Sequence, residues 1–272
     1  MAVYDCFTFF NEMELLELRL KLLNSVVDRF VLVELDVNHR GVPKPYNYLR
    51  EKLRFRKYAE KIFYVQATDA PKYDESMRYY YSDGMESDGD WSVEHYQRNC
   101  IMDGLRHLNP EPDDYIMISD LDEIPSPDVV RALPDVPHLE NEPISLAEDH
   151  FNYFLNCRYV GSWYGTVICK YKNLVMPQPL RDSRNKLPHI GPHAGWHFSY
   201  LGGVEKIKAK LNSIVDGNDR LAQDEYIEKC LNEGVDLCQR DFKFEFIPMR
   251  EIGIGGIDLF IAKYPHLYRA VN

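Results

Sequence analysis

Apolar residues fall into two rhythms along this chain, and the switches between them mark its elements. The run VYDCFTF, about residues 3–9, is a short apolar strand. A helix follows, with Leu15, Leu16, Leu18, Leu20, Leu22 and Leu23 forming a broad apolar stripe. Asn11 stands at the switch in position to cap that helix, and Glu12 and Glu14 suit its first turn. FVLVEL, 30–35, is near-continuously β-branched and aromatic, which predicts a strand buried on both faces of a parallel sheet. A loop and a short basic helix lead to a third strand, KIFYVQA, 61–67. The polar, tyrosine-rich stretch 71–91 predicts a surface loop or flap. Residues 91–108 carry Tyr96, Ile101, Leu105 and Leu108 at helical spacing and stop at Asn109-Pro110. DDYIMISDLDEI is the next strand and its exit.

Strand, helix, strand, connector, strand, helix, strand is the order of a doubly wound α/β half-sheet. After residue 135 the rhythm changes. PISLAEDHFNYFLNCRYV and GTVICKYKNLV predict longer strands, antiparallel and separated by GSWY. Helices are expected after AGWHFSYLGG and over roughly 220–231. No repeat or low-complexity tract interrupts the chain. Its 272 residues therefore divide into a nucleotide-type half, about 1–135, and an acceptor-type half, about 136–272, of one domain.

The formal charge of −11 excludes a dedicated nucleic-acid binder, which needs a basic footprint, but leaves room for an anionic small molecule met by a metal or a local arginine. No segment is apolar for long enough to span a bilayer, and no N-x-S/T sequon occurs, so a soluble, cytoplasmic protein is expected. The six scattered cysteines include no CxxC and predict buried free thiols.

Chemistry concentrates in ISDLDEIPSPD, 118–128. Asp120 and Asp122 leave a buried apolar strand where the chain turns, so both carboxylates can reach one small volume. Like charges that close resist joint ionisation unless a cation compensates them, and a hard divalent ion accepts both carboxylate and phosphate oxygens. The triplet taken alone also suits a solvated strand end. Arg98 upstream is placed to meet a phosphate, and His197 to complete a metal's ligand set or to pack in the core.

The opening VYDCFTFFNEMELLELRLKLLNSVVDRFVLVE, the middle EHYQRNCIMDGL…DDYIMISDLDEIPSPD and the later AGWHFSYLGG together resemble glycosyltransferase family 17, over roughly residues 2–215. That resemblance implies a GT-A-like fold, a mostly parallel central sheet flanked by helices with an antiparallel addition. It also implies an inverting transfer from a UDP-sugar, with Mn2+ or Mg2+, to a glycan hydroxyl. On this resemblance Asp122 ligates the metal. Asp120 binds the ribose or metal-bound water or shares the ion, and Glu123 points back behind them. His197 matches a late histidine ligand. Phe7, Thr8, Phe9, Asn11 and Glu12 line the base and ribose end. Glu34 contacts uracil or ribose, or else caps a strand exit. Arg98 and Lys186 steer the diphosphate.

An inverting displacement needs a base on the acceptor side. Asp149 is the first candidate and Glu148 the next, one of them facing the cleft because they alternate along a strand. Asp182 and Asp241 compete with them. Trp163, Tyr164 and Trp196 offer sugar-stacking faces or core packing, and His189 and His193 lie nearby. The chain lacks the stem of the animal family members, so a bacterial or viral glycan made in the cytosol is the expected product. A nucleotidyltransferase, a nucleotide-sugar hydrolase or a non-catalytic carbohydrate-binding protein would share the same acids.

Overall fold

The computed structural model describes residues 1–74, 76–80, 86–217 and 220–271. It begins β1 (Val3–Thr8), α1 (Met13–Leu23), β2 (Arg29–Leu35), α2 (Asn47–Glu51) and β3 (Ile62–Ala67). The short strands β4 (Arg78–Tyr80) and β5 (Glu86–Asp88) pair antiparallel; the rest of the expected flap between them, with residue 75, lies outside the described residues. Then come α3 (Ser92–Asn99), α4 (Ile101–Leu108), β6 (Tyr115–Asp120), β7 (Glu123–Pro125) and α5 (Pro127–Arg131). The second half runs β8 (Ile144–Asn152), β9 (Cys157–Lys170), α6 (Pro177–Asp182), β10 (His189–Ile190), β11 (Gly195–Ser199), α7 (Val204–Leu211), α8 (Asp224–Glu233), β12 (Phe244–Phe246) and α9 (Ile257–Lys263).

The protein is an α/β fold with one mixed sheet in the order β3-β2-β1-β6-β9-β8-β11-β7. β3, β2, β1 and β6 are mutually parallel, β9 runs against β6 and β8, and β11 lies parallel to β8. β2 is buried on both faces as its composition predicts: Phe30 and Leu32 enter the core shared with α1, while Val31, Val33 and Leu35 face Ile101 and Leu105 of α4. A smaller cluster joins Tyr153 and Cys157 to Ile207 and Leu211 of α7 and Ile227 of α8.

Two differences from the sequence expectation have local causes. The 91–108 helix is broken into α3 and α4 at Cys100; its end at Asn109 holds, with that residue left-handed (φ 49°). The antiparallel turn falls at 153–156 rather than at GSWY, which continues inside β9. Tyr153 takes the positive φ (69°) of the turn, and the Asn156 side chain satisfies the backbone of Ile247 and Arg269.

The sheet curls. Four strand spacings of about 4.8 Å would separate β6 from β7 by roughly 19 Å in a flat sheet. Yet only Leu121 and Asp122 link them, a reach of about 10 Å. The path β6-β9-β8-β11-β7 therefore closes around its own interior, and Asp122 lies on the closing link.

Candidate active site

Strands β1, β2, β6, β8 and β11 all point the same way, and a cavity of about 360 Å³ opens where they end. Its wall is formed by Thr8, Phe9 and Phe10 after β1, Val37, Asn38 and His39 after β2, and Asp120 to Glu123 after β6. His150, His197, Ser199 and Tyr200 close the far side, beyond β8 and β11. That is the crevice in which open α/β sheets bind ligands.

The acid run is held from beneath by Arg19 of α1, fully buried. Its guanidinium pairs with Asp5 (2.8 and 2.5 Å), bonds the Ser119 hydroxyl (2.7 Å), and donates to the backbone oxygens of Asp120 (3.0 Å), Leu121 (3.1 Å) and Glu123 (2.6 Å). Carbonyls that leave the sheet's ladder thus find partners, and the turn is fixed.

Asp120 and Asp122 then diverge in role. Asp120 accepts from Arg98 (2.8 Å), Arg181 (3.3 Å) and the Thr8 hydroxyl (3.3 Å). Burial opposes its charge, but the two arginines outweigh it and hold its pKa well below the usual carboxylate range. Asp122 meets Lys210 of α7 through Oδ2 (2.9 Å), while its Oδ1 stands 3.8 Å from His197 Nε2. The compensation expected from an ion alone thus comes in part from the protein's own cations.

Glu123 turns inward as expected, accepting from the Asp120 amide (3.0 Å), Trp163 Nε1 (2.7 Å) and Arg181. Glu148 lies beside it, bonded to the Thr166 amide (3.1 Å) and hydroxyl (2.7 Å). Burial, then the nearby Glu123, raises the Glu148 pKa well above the usual value. Gly165 makes room for both carboxyls: a Cβ there would stand 2.0 Å from Glu148 Oε2 and 3.1 Å from Glu123 Cδ.

Asp122 Oδ1 and His197 Nε2 face each other at 3.8 Å, a pair of donor atoms whose chemistry suits a divalent ion. Burial and the nearby Lys210 lower the His197 pKa well below the usual value, which favours the uncharged ring a metal would need. Among the described residues no three His, Cys, Asp or Glu side chains converge on a common point. A site with few protein ligands leaves positions for phosphate oxygens and water, and an imidazole beside a carboxylate suits a transition-metal ion better than Mg2+.

Several sequence-derived candidates sit elsewhere. Phe7 is core, under the Arg19 guanidinium at 4.4 Å. Asn11 does not cap α1; its amide donates to Glu12 (2.9 Å), which lines the cavity. Glu34 takes the capping alternative: it binds Lys44 (2.9 Å), the Asn47 and Tyr48 amides at the start of α2 (2.5 and 3.1 Å), and Tyr64 (2.9 Å). Lys186, Asp149, Glu148 and Asp241 do not line the cavity; Asp149 bonds the exposed His193 (2.8 Å). Trp196 is core, bonded to the Ile252 carbonyl (2.8 Å), and Tyr164 packs on His189. Thr8, Phe9, Glu12, Arg98, Asp182, Trp163 and His197 do reach the cavity.

The sequence reading passed over Arg181, Arg184, Lys210 and His150. Arg181 and Arg184, three apart in PLRDSR, and the KIKAK run were the available signals. Arg184 also lines the cavity, and among the described residues its one hydrogen bond is to the Arg181 carbonyl (3.3 Å). Burial and the charge of Arg181 push its pKa down to about 10, the mark of a cation short of an anion.

A curled mixed sheet with a charged crevice at its strand ends defines the class, an α/β protein of the glycosyltransferase-like kind. The chain belongs to glycosyltransferase family 17, whose model matches residues 1–249. It is similar to the beta-1,4-mannosyl-glycoprotein 4-beta-N-acetylglucosaminyltransferases of Homo sapiens and Rattus norvegicus, at 34% identity over 128 residues in each case. Those stretches cover 45% of this chain but only 22% and 21% of the human and rat proteins. Among solved structures, that of S. aureus TarS 1-349 aligns over 85% of this chain and 72% of its own, with a TM-score of 0.38 and 10% identity. No described helix is long and apolar enough to cross a membrane.

Proposed function

We propose that this protein is an inverting, metal-dependent glycosyltransferase on a GT-A-like scaffold, moving a sugar from a UDP-sugar, N-acetylglucosamine first, to a glycan hydroxyl. The observation that carries it is the placement of the acid turn, with Arg98, Arg181, Arg184 and Lys210 around it, at the strand-end crevice of a family 17 chain. The relatives' printed activity supplies the first choice of sugar.

Asp122 and His197 would hold the ion, which when bound supplies Lewis-acid neutralisation of the diphosphate. Arg184 and Lys210 add positive charge where the leaving group departs. Asp120 keeps Arg98 and Arg181 aimed at that place, so neither side chain needs reorganising as charge develops. Thr8 and Phe9 border the nucleoside end. Asp182 is the one sequence-derived base candidate that reaches the cavity, and it would take the acceptor's proton. Glu148, buried behind the cavity with its pKa raised and bonded to Thr166, is kept out of the reaction.

The test is a panel of UDP-sugars with sugar acceptors, with and without Mn2+, scoring nucleotide release and product anomer. Acceptor-dependent release with inversion is expected, lost in Asp122→Ala. Release at the same rate without acceptor would make the protein a hydrolase, and full activity in Asp122→Ala would overturn the metal assignment.

A further inference from the structure

One face of β8 and β11 is lined with polar atoms that nothing in the protein satisfies. Glu148, His150 and Asn152 alternate onto the same side of β8. His150 pairs in register with His197 of β11, and Asn152 with Ser199. His150 is 2% exposed and Asn152 1%. Both ring nitrogens of His150, both amide atoms of Asn152 and Nδ1 of His197 have no hydrogen-bond partner. Buried polar groups are overwhelmingly paired in native proteins, and each exception calls for a missing partner.

The chemistry of the face narrows what that partner is. An imidazole has two ring nitrogens that can give or take a hydrogen bond, and a carboxamide presents both a donor and an acceptor. A phosphate offers acceptors alone and would leave the acceptor atoms of this face unpaired. A hydroxyl both gives and takes a proton, so a polyhydroxyl ligand can partner His150, the member of the row that lines the cavity. The surroundings suit one: the His197 ring lies between Trp163 (4.4 Å, 27°) and His150 (4.6 Å, 29°), and Tyr159, Phe242 and Phe244 ring His150 at 5.8–6.2 Å. Of these rings Trp163 reaches the cavity beside His150 and His197, and polar edges next to an indole match a pyranose, whose hydroxyls lie around its rim and whose C–H faces are apolar.

We infer that His150, supported by Asn152, is the residue that reads the hydroxyls of the transferred sugar, at the end of the cavity beyond Asp122 and His197. This rests on the proposed glycosyl transfer and adds to it the place where the sugar is recognised. His150 lines the cavity directly, with Trp163 and His197 as its neighbours there.

Calorimetry with UDP, UDP-N-acetylglucosamine, UDP-glucose and UDP-galactose, each with Mn2+, tests the assignment on His150→Phe and His150→Gln. For His150→Phe the affinity for UDP should stay within about twofold, while the best UDP-sugar should lose at least about tenfold, because a site built around a substrate hydroxyl fails without its partner. His150→Gln, which keeps a donor and an acceptor and guards against a variant that does not fold, should retain part of the preference among sugars or change its order. Equal losses for UDP and UDP-sugar, or a loss of Mn2+ affinity, would place His150 with the metal and diphosphate and overturn the inference. Unchanged binding of every ligand would mean that the face holds only water, and would overturn it too. If the wild-type protein bound neither UDP nor any UDP-sugar, the glycosyl-transfer proposal itself would fall, a result distinct from all the others.

Discussion

Arg19→Met is the sharpest test of how the acid turn is held. Arg19 and Asp5 are both fully buried and joined by two short bonds, and the same guanidinium carries three backbone oxygens of residues 120–123. Removing one partner of a buried pair costs about 3–5 kcal/mol, because the other charge is left stranded. For a chain of this size each kcal/mol lowers the melting temperature by about 2–4 °C, so a fall of roughly 6–20 °C is expected. The double variant Asp5→Leu/Arg19→Met removes both charges and should recover most of that stability in urea denaturation. It does not restore the three carbonyl bonds, so UDP affinity should stay reduced while the fold recovers. The reasoning fails if Arg19→Met costs less than about 1 kcal/mol. It fails equally if the double variant regains both stability and nucleotide affinity, since the guanidinium would then be mere packing.

Arg184→Ala should weaken UDP by about tenfold or more and UMP much less, a charge-assisted bond being worth about 1.5–3 kcal/mol; equal losses in a competition assay would move Arg184 off the diphosphate. Glu148→Gln keeps an oxygen for Thr166 and should retain activity within about threefold, whereas a fully folded but inactive variant would return Glu148 to the role of base. Because the folded-state pKa of Glu148 is raised, the native protein keeps a proton that the unfolded chain releases. Its stability is then fully present below the unfolded value near 4.5 and is lost as pH rises towards the folded value, so the advantage of Glu148→Gln in urea midpoint should widen from acid to neutral pH.

The scaffold was legible where burial is two-sided or strictly periodic. FVLVEL and YIMISD announce parallel strands because each side chain on either face meets a helix or another strand. The turn at 153–156 was not, because GSWY carries the stronger breaker signal, while the real turn uses Tyr153 at positive φ and an asparagine bonded to segments about 90 and 113 residues away. Glu34 shows the same limit: an acid at a strand end reads alike whether it meets a ligand or the amides of α2. His150 was invisible for a related reason. In LAEDHFNYF the acids draw attention, but which face of the strand looks into the crevice depends on the curl of the sheet, a property of five strands together.

That curl also changes what the two aspartates mean. A triplet of acids at a strand exit invites a symmetrical reading in which both carboxylates share one ion. The structure divides them, because the chain reverses between β6 and β7 within two residues. Asp120 stays on the β6 side among Arg98 and Arg181; Asp122, on the closing link, is carried across to His197 and Lys210. Asp120 spends most of its acceptor capacity on Arg98, Arg181 and the Thr8 hydroxyl, whereas the Asp122 carboxylate, among the described residues, meets Lys210 alone at hydrogen-bond distance. Asp120 thus keeps two arginines on one side of the crevice, while Asp122 stands with His197 and Lys210 on the other. A chain of net charge −11 thereby gathers Arg98, Arg181, Arg184 and Lys210 at one cleft, using one of the acids there to aim two of the arginines.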